Sequence, residues 1–255
     1  MAAAKTILVT GAGSGIGRAI AAQFSEQGWF VGLADVSAQG LAETREQLAG
    51  PSVEITLDVR DPAQWVRGLK RFIAEAGALD VLANNAGVGI FGPLETADIG
   101  ELDTLIDINF KGVLWGAKEA LPYLRSSRGT LLNTASASSV YGSTGLAAYS
   151  ATKFAVRALT EALDDEWAAH GIRVRGLIPG FINTPMLDVV AAGADHPLRS
   201  TAEQSGFALV SPKQVADAAW RAVHGDDLFV FVDELAETLR DLVGWNPEAA
   251  RVAMR

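Results

Sequence analysis

Two kinds of segment alternate along this chain. Short runs that are apolar at nearly every position are separated by longer stretches whose apolar residues recur at helical spacing. TILVT (6–10) is followed by RAIAAQFSEQG, and Ile16, Ile20 and Phe24 fall on one helical face. WFVGLAD (29–35) precedes a helix expected over 38–49, and SVEITLD (52–58) precedes one over 62–76. LDVLANN (79–85) leads to a long helical stretch from about Glu101 to Arg125, and GTLLNTAS (129–136) leads to a helix over 147–170. IRVRGLIPG (172–180) and the short FVFV (229–232) complete the strand set, and a helix-like run follows at 233–243.

Strands that are apolar throughout are covered on both faces, which points to a parallel sheet between two layers of helices. Right-handed crossovers then predict a single doubly wound α/β domain, with a central parallel sheet of about seven strands and ligands at the strands' carboxyl ends. The length of 255 residues suits one such domain and is short for two. The least regular stretch is 181–211, rich in Gly, Ala, Pro and Ser and including Gly193, Pro197 and Gly206. It leaves the carboxyl edge of the sheet, where a mobile substrate lid is expected.

Between the first strand and first helix lies GAGSGIG (11–17). Gly11 permits a tight turn, Gly15 lets the backbone approach a pyrophosphate, and Gly17 lets the helix pack close to the strand. Gly13 adds a further small residue. The free N–H groups and positive dipole end of the helix, at Ser14, Gly15 and Ile16, then face the phosphates. Asp35 ends the second strand, about 20 residues on, where a carboxylate accepts both hydroxyls of an adenosine ribose. The same charge repels a 2′-phosphate, and neither Val36 nor Ser37 supplies a base to hold one. NAD is therefore expected over NADP. Asp35 could instead cap the helix at 38–49, a task open to Ser37 as well.

Composition narrows the partners. The chain has 21 Lys and Arg against 30 Asp and Glu, a net charge of −9 with no basic cluster, so nucleic-acid and anionic-membrane surfaces are not expected. Absence of cysteine excludes thiol chemistry and disulfides and fits a reducing compartment, so the cytoplasm is the expected location. The first apolar run is short and breaks at Gly11, unlike a signal peptide, and no run reaches the ~20 apolar residues of a membrane span. His170, His196 and His224 form no ligand-like cluster, so no metal site is expected.

The chemistry sits in AAYSATKFAV. Tyr149 and Lys153 are four residues apart, which on a helix places phenol and ammonium on one face. A neighbouring cation favours phenolate, so a Tyr nearer neutrality is expected, able to exchange a proton with an alcohol or carbonyl oxygen. Ser136 ends its apolar strand at the ligand edge, where its hydroxyl can hold charge developing on a substrate oxygen.

With these residues in order, the chain resembles the short-chain dehydrogenase/reductase family over about Lys5 to Met186. The matching motifs are TGAGSGIG (10–17), Asp35, Asp58-Val59, NNAG (84–87), Asn109, Ser136, YSATK (149–153) and PGFINT (179–184). The resemblance implies a Rossmann-type fold and a catalytic tetrad of Asn109, Ser136, Tyr149 and Lys153, with Asn109 holding a water in the proton path to Lys153. By the same resemblance Asp58 and Val59 meet the adenine side, and Asn85, Ala86 and Gly87 line the cofactor floor. Pro179, Gly180, Ile182 and Thr184 border the nicotinamide, where Thr184 could bond the carboxamide or equally cap a helix before Pro185. Lys153 also reaches the nicotinamide ribose.

The implied reaction is reversible hydride transfer between NAD(H) and a secondary alcohol or ketone. Its alternatives are a silent NAD-binding scaffold and an NADP-dependent carbonyl reductase. Pocket candidates Val88 to Phe91 and Ser138 to Gly142 are mostly uncharged, which points to an uncharged substrate, although His196 and Arg199 could meet an anion. Relatives often end in a glycine-rich tail at a subunit interface. This chain does not, so a homodimer or homotetramer is expected through helices 101–125 and 147–170.

Overall fold

Ile7 and Val9 of the first strand pack with Val31 and Leu33 on one side of a central sheet, while Leu8 and Ala34 join the cluster on the other. That two-sided burial is why the strands are apolar at every position. The computed structural model describes residues 4–191 and 194–246. Its order begins β1 (Thr6–Thr10), α1 (Gly15–Glu26), β2 (Phe30–Asp35), α2 (Ala38–Gln47), β3 (Ser52–Thr56), α3 (Pro62–Ala76) and β4 (Val81–Asn84). It continues with α4 (Ile99–Ile106), α5 (Gly112–Ser127), β5 (Thr130–Thr134), α6 (Ala147–Trp167) and β6 (Arg173–Ile178). α7 (Leu198–Gln204), α8 (Pro212–His224), β7 (Phe229–Phe231) and α9 (Glu234–Val243) follow.

Among the described residues seven strands form one parallel sheet in the order β3-β2-β1-β4-β5-β6-β7. The chain moves outward from β1 to β3, then returns to pair β4 on the other side of β1. This reversal opens a crevice at the carboxyl ends of β1 and β4, where a doubly wound sheet binds its ligand. One face is covered by α1 and α8, whose Phe24 and Trp220 rings lie 5.1 Å apart with Trp29 against both. α3 and α5 cover the other through Trp65, Leu69, Phe72 and Leu124.

Two helical features differ from the pattern read in the sequence. The stretch expected to run unbroken from Glu101 is interrupted by a π turn at Asp107–Lys111, which inserts one residue between α4 and α5 and turns Asn109 fully inward. The segment 181–211 carries more regular structure than its composition predicts. Pro185–Asp188 is a 3₁₀ turn, α7 follows, and single bridges join Ile182 to Val210 and Val190 to Pro197. Arg199 explains the order: its guanidinium donates to Asp188 (2.8 Å), to Asn183 (2.5 Å) and to the Thr184 carbonyl (3.2 Å). Gly193 lies outside the described residues. No described helix is long and apolar enough to cross a membrane.

Candidate active site

The glycine turn is shaped by what touches it. Gly11 and Gly15 adopt φ of 67° and 52°, a region side chains disfavour. A Cβ on Gly11 would stand 2.9 Å from Ala86 Cα, one on Gly15 3.1 Å from the Thr184 methyl, and one on Gly17 would collide with the Gly11 carbonyl. Gly11 thus makes the tight turn, and Gly17 allows the close packing of α1 that its position implies. Ser14 is the N-cap of α1, yet among the described residues its hydroxyl accepts from no helix N–H, so the first amides of α1 remain open to an anion.

Asp35 reaches back over this turn. Its Oδ2 accepts from Gly13 N and its Oδ1 from Ser37 N, both at 2.9 Å. The cap of α2 comes from Ser37, whose Oγ accepts from Gly40 N at 3.0 Å, which answers the alternative role for Asp35. Two of the four acceptor positions on the carboxylate stay available. Val36 beside it is exposed. Asp58 is less free, because Arg60 grips both its oxygens (3.0 and 2.6 Å) and holds its carboxyl below the usual range. Val59 turns inward, and its carbonyl accepts from the Trp65 indole at 3.0 Å.

The floor is fixed by Thr10, whose importance spacing alone does not show. Its hydroxyl oxygen accepts from Asn85 N and Ala86 N, both at 3.0 Å, while Asn85 Nδ2 donates to the Thr10 carbonyl at 3.0 Å. Asn109 clamps the next turn, accepting from Val88 N and donating to Val88 O at 2.9 Å each. A Cβ on Gly87 would lie 3.3 Å from Asn109 Oδ1 and 3.7 Å from Lys153 Nζ, so all three meet at one point.

Ser136, Tyr149 and Lys153 converge at the carboxyl end of β5. Ser136 Oγ accepts from Ser138 N at 3.1 Å, which leaves its own proton free to donate. Ser139 is buried and its hydroxyl donates to the Ser136 carbonyl at 2.6 Å, so it serves the turn rather than a ligand. Lys153 Nζ donates to the Thr134 carbonyl at 3.0 Å and lies 5.7 Å from the centre of the Tyr149 ring. Among the described residues no carboxylate pairs with it. Burial lowers its pKa to about 8.

Burial also corrects the expectation for Tyr149. Its phenol is pushed up to about 12, with the Ser136 hydroxyl pulling weakly the other way. Desolvation dominates because the tyrosine is buried, with Phe91 edge-on to its ring at 5.5 Å between centroids. Phe91, Leu105, Val88, Ile90, Met186 and Leu198 surround Tyr149 in one apolar cluster. Thr184 starts the 3₁₀ turn but its hydroxyl does not cap it, donating instead to the Ile182 carbonyl at 3.3 Å. No group of three or more metal-ligating side chains occurs among the described residues.

Glycine turn, Asp35 carboxylate and Ser–Tyr–Lys cluster thus follow one another in chain order along the carboxyl ends of the strands. A family model described as short chain dehydrogenase matches residues 5–194. The chain belongs to this family. It is an oxidoreductase of the short chain dehydrogenase kind, and family members bind a nicotinamide cofactor. An uncharacterized oxidoreductase of Staphylococcus epidermidis is 35% identical over 214 residues, 83% of this chain and 93% of that protein. A short chain dehydrogenase/reductase from Burkholderia phymatum, solved in complex with NAD, shares the fold at a TM-score of 0.84 and 24% identity over 96% of both chains. A 3-ketoacyl-(acyl-carrier-protein) reductase from Brucella melitensis, complexed with NADH, gives a TM-score of 0.81 at 27% identity, covering 91% of this chain and 97% of that one.

Proposed function

We propose that this dehydrogenase reversibly oxidises an uncharged secondary alcohol to a ketone with NAD. The observation that carries the reading is the convergence of Tyr149, Lys153 and Ser136 on one enclosed point beside the glycine cradle. The cradle fits a dinucleotide: its open helix amides suit the pyrophosphate, and Asp35 suits an unmodified ribose. Asp58, Val59, Asn85, Ala86 and Gly87 complete the adenine side and floor. Pro179, Gly180, Ile182 and Thr184 are the wall for the nicotinamide end. Bound NAD⁺ supplies the hydride acceptor and a positive ring.

Tyr149 takes the hydroxyl proton of the alcohol, or returns it to the ketone. Ser136 donates to the same oxygen and fixes its position. Lys153 stabilises the phenolate, and its ammonium is within reach of ribose hydroxyls. Asn109, turned inward onto the Val88 backbone by the π turn, would hold a water in the proton path to Lys153. An apolar cluster around the phenol excludes water and favours an uncharged substrate. Arg199 donates to Asp188 and Asn183, which weighs against its serving as an anion receptor.

NAD is preferred because Asp35 meets the ribose and Val36 offers no partner for a 2′-phosphate. A homodimer or homotetramer working in the cytoplasm belongs to the same reading, and sedimentation equilibrium measures the assembly. The deciding experiment follows nicotinamide absorbance with NAD⁺ or NADP⁺ and a panel of uncharged alcohols. Turnover with NAD⁺ at the higher efficiency is expected. Cofactor binding without turnover of any alcohol would instead make the protein a silent scaffold, and equal or better efficiency with NADP⁺ would make it an NADP-dependent carbonyl reductase.

A further inference from the structure

Residues beyond 194 lie outside the family match, yet the segment after β7 reaches the catalytic centre twice. Asp233 stands between β7 and α9 with both carboxylate oxygens committed. Oδ1 accepts from Ala236 N at 3.0 Å and caps α9, while Oδ2 accepts from Gly180 N at 2.7 Å. The fit is close, since a Cβ on Gly180 would lie 2.7 Å from Asp233 Oδ1. Next to Gly180, the Pro179 carbonyl accepts from Ala137 N at 2.8 Å. A line of hydrogen bonds therefore runs Asp233–Gly180–Pro179–Ala137 across the carboxyl ends of β7, β6 and β5. It ends on the residue after Ser136.

The far end of the same segment reaches the same turn. Trp245 packs on Phe229 and Phe231, with centroids 5.0 and 5.7 Å away, and the Arg157 guanidinium stacks 3.9 Å above its ring. Arg157 Nη1 donates to the Ser139 carbonyl at 2.8 Å, and Ser139 in turn bonds the Ser136 carbonyl. Seating α9 on β7 does not require a carboxylate at 233, because a serine caps a helix about as well. What the carboxylate adds is a charge-assisted bond to the backbone of the nicotinamide wall.

We propose that Asp233 is a positioning residue of the catalytic centre: through Gly180 and Pro179 it sets the wall at the nicotinamide end and the turn that carries Ser136, with Trp245 and Arg157 as the second tether to that turn. The proposal rests on the NAD-dependent reading above. Asp233→Ser separates cap from tether, since serine keeps the cap of α9 and is too short to reach Gly180. Its thermal midpoint and its affinity for ADP-ribose, measured by calorimetry, stay near wild type. NADH affinity and kcat each fall by about tenfold or more, the size expected for losing a hydrogen bond to a charged group.

Gly180→Ala produces the same pattern, because its methyl displaces the carboxylate. The double variant is no worse than Asp233→Ser alone, since the methyl then meets no carboxylate. Asp233→Ser with NADH affinity and kcat within about twofold of wild type overturns the proposal, and so does an equal loss of NADH and ADP-ribose affinity, which marks a general loosening. Should Asp233→Ser not fold, Gly180→Ala takes its place in the same measurements and decides the proposal by the same outcomes. If wild-type protein turns over no alcohol, the functional reading fails, while the ratio of NADH to ADP-ribose affinity still decides the role of Asp233.

Discussion

At the glycine turn the groups open to a ligand are mostly backbone, namely the open amides of α1 and the turn held by Thr10, with the Asp35 carboxylate beside them. At the other end of the crevice they are side chains delivered by separate elements, Ser136 after β5 and Tyr149 and Lys153 on α6, beside the Gly180 backbone that Asp233 braces from beyond β7. The first end is a shape fitted to a dinucleotide, with the Asp35 carboxylate beside it as the one charge that can select among dinucleotides. The second holds titratable groups, Tyr149 and Lys153, whose protonation depends on burial. Changes at the first end should therefore alter which cofactor is chosen, and changes at the second whether anything happens to it.

The largest effect that separates the two ends is at Tyr149. Tyr149→Phe keeps the ring against Phe91 and removes only the hydroxyl. Turnover is expected to fall by ~10²–10⁴-fold, the usual contribution of general acid–base catalysis, with NAD⁺ affinity unchanged. Wild type should also show a directional pH profile. With the phenol near pH 12, the phenolate fraction grows with pH, so alcohol oxidation accelerates from pH 6 to 8 while ketone reduction, which uses the protonated phenol, stays level over that range. Retention of more than about a tenth of the rate in Tyr149→Phe, or a flat oxidation profile, would remove Tyr149 as the proton-transfer group.

A smaller effect is expected at the cradle. Asp35→Ala with Val36→Arg removes a repulsive charge and adds a phosphate partner. The ratio of NADP to NAD efficiency is expected to rise by about 10- to 100-fold, the scale of one or two charge-assisted hydrogen bonds. Efficiency with NAD is expected to drop as well, because Asp35 also holds Gly13 N and Ser37 N. An unchanged ratio in steady-state kinetics would show that the choice is made elsewhere.

The same division explains what could be read from the residues alone. The parallel sheet and the glycine turn are legible because apolar runs announce two-sided burial, and glycine is required where φ is positive or a carbonyl sits against the Cα. Tyr149, Lys153 and Ser136 are legible as positions through the family resemblance. Their electrostatics are not, since a four-residue spacing says nothing of the Phe91 ring that encloses the phenol. The π turn at Asn109 is not read from a coarse helical pattern, although its one inserted residue offsets the apolar face by about 100° between α4 and α5. α8 goes unmarked in the pattern of strands, although Ser211, Pro212 and Gln214 form a capping box that signals its start. Asp233 and Gly180 are 53 positions apart, beyond the reach of local pattern.

The smallest effect concerns stability, and it is where the catalytic end differs most from the cradle. Lys153 is buried with a carbonyl rather than a carboxylate as partner, and its folded pKa of about 8 lies below the ordinary lysine value of 10.5. Between these values the unfolded chain binds the proton that the folded chain has released, so stability rises with pH through that window and the cost of the charge is fully felt below pH 8. Tyr149 acts oppositely at higher pH: folded protein keeps a proton that unfolded chain loses between 10 and about 12, so stability falls there. Lys153→Met removes the buried charge and keeps the packing volume. It is expected to abolish turnover while raising the thermal midpoint at pH 7 by several degrees, since a shift of this size corresponds to roughly 3 kcal/mol at most. The gain should shrink as pH climbs from 7 towards 10, where wild type sheds the same charge by titration. A midpoint that falls on Lys153→Met, or a gain that does not vary with pH in calorimetric scans, would mean that the ammonium is better solvated in the fold than its burial indicates.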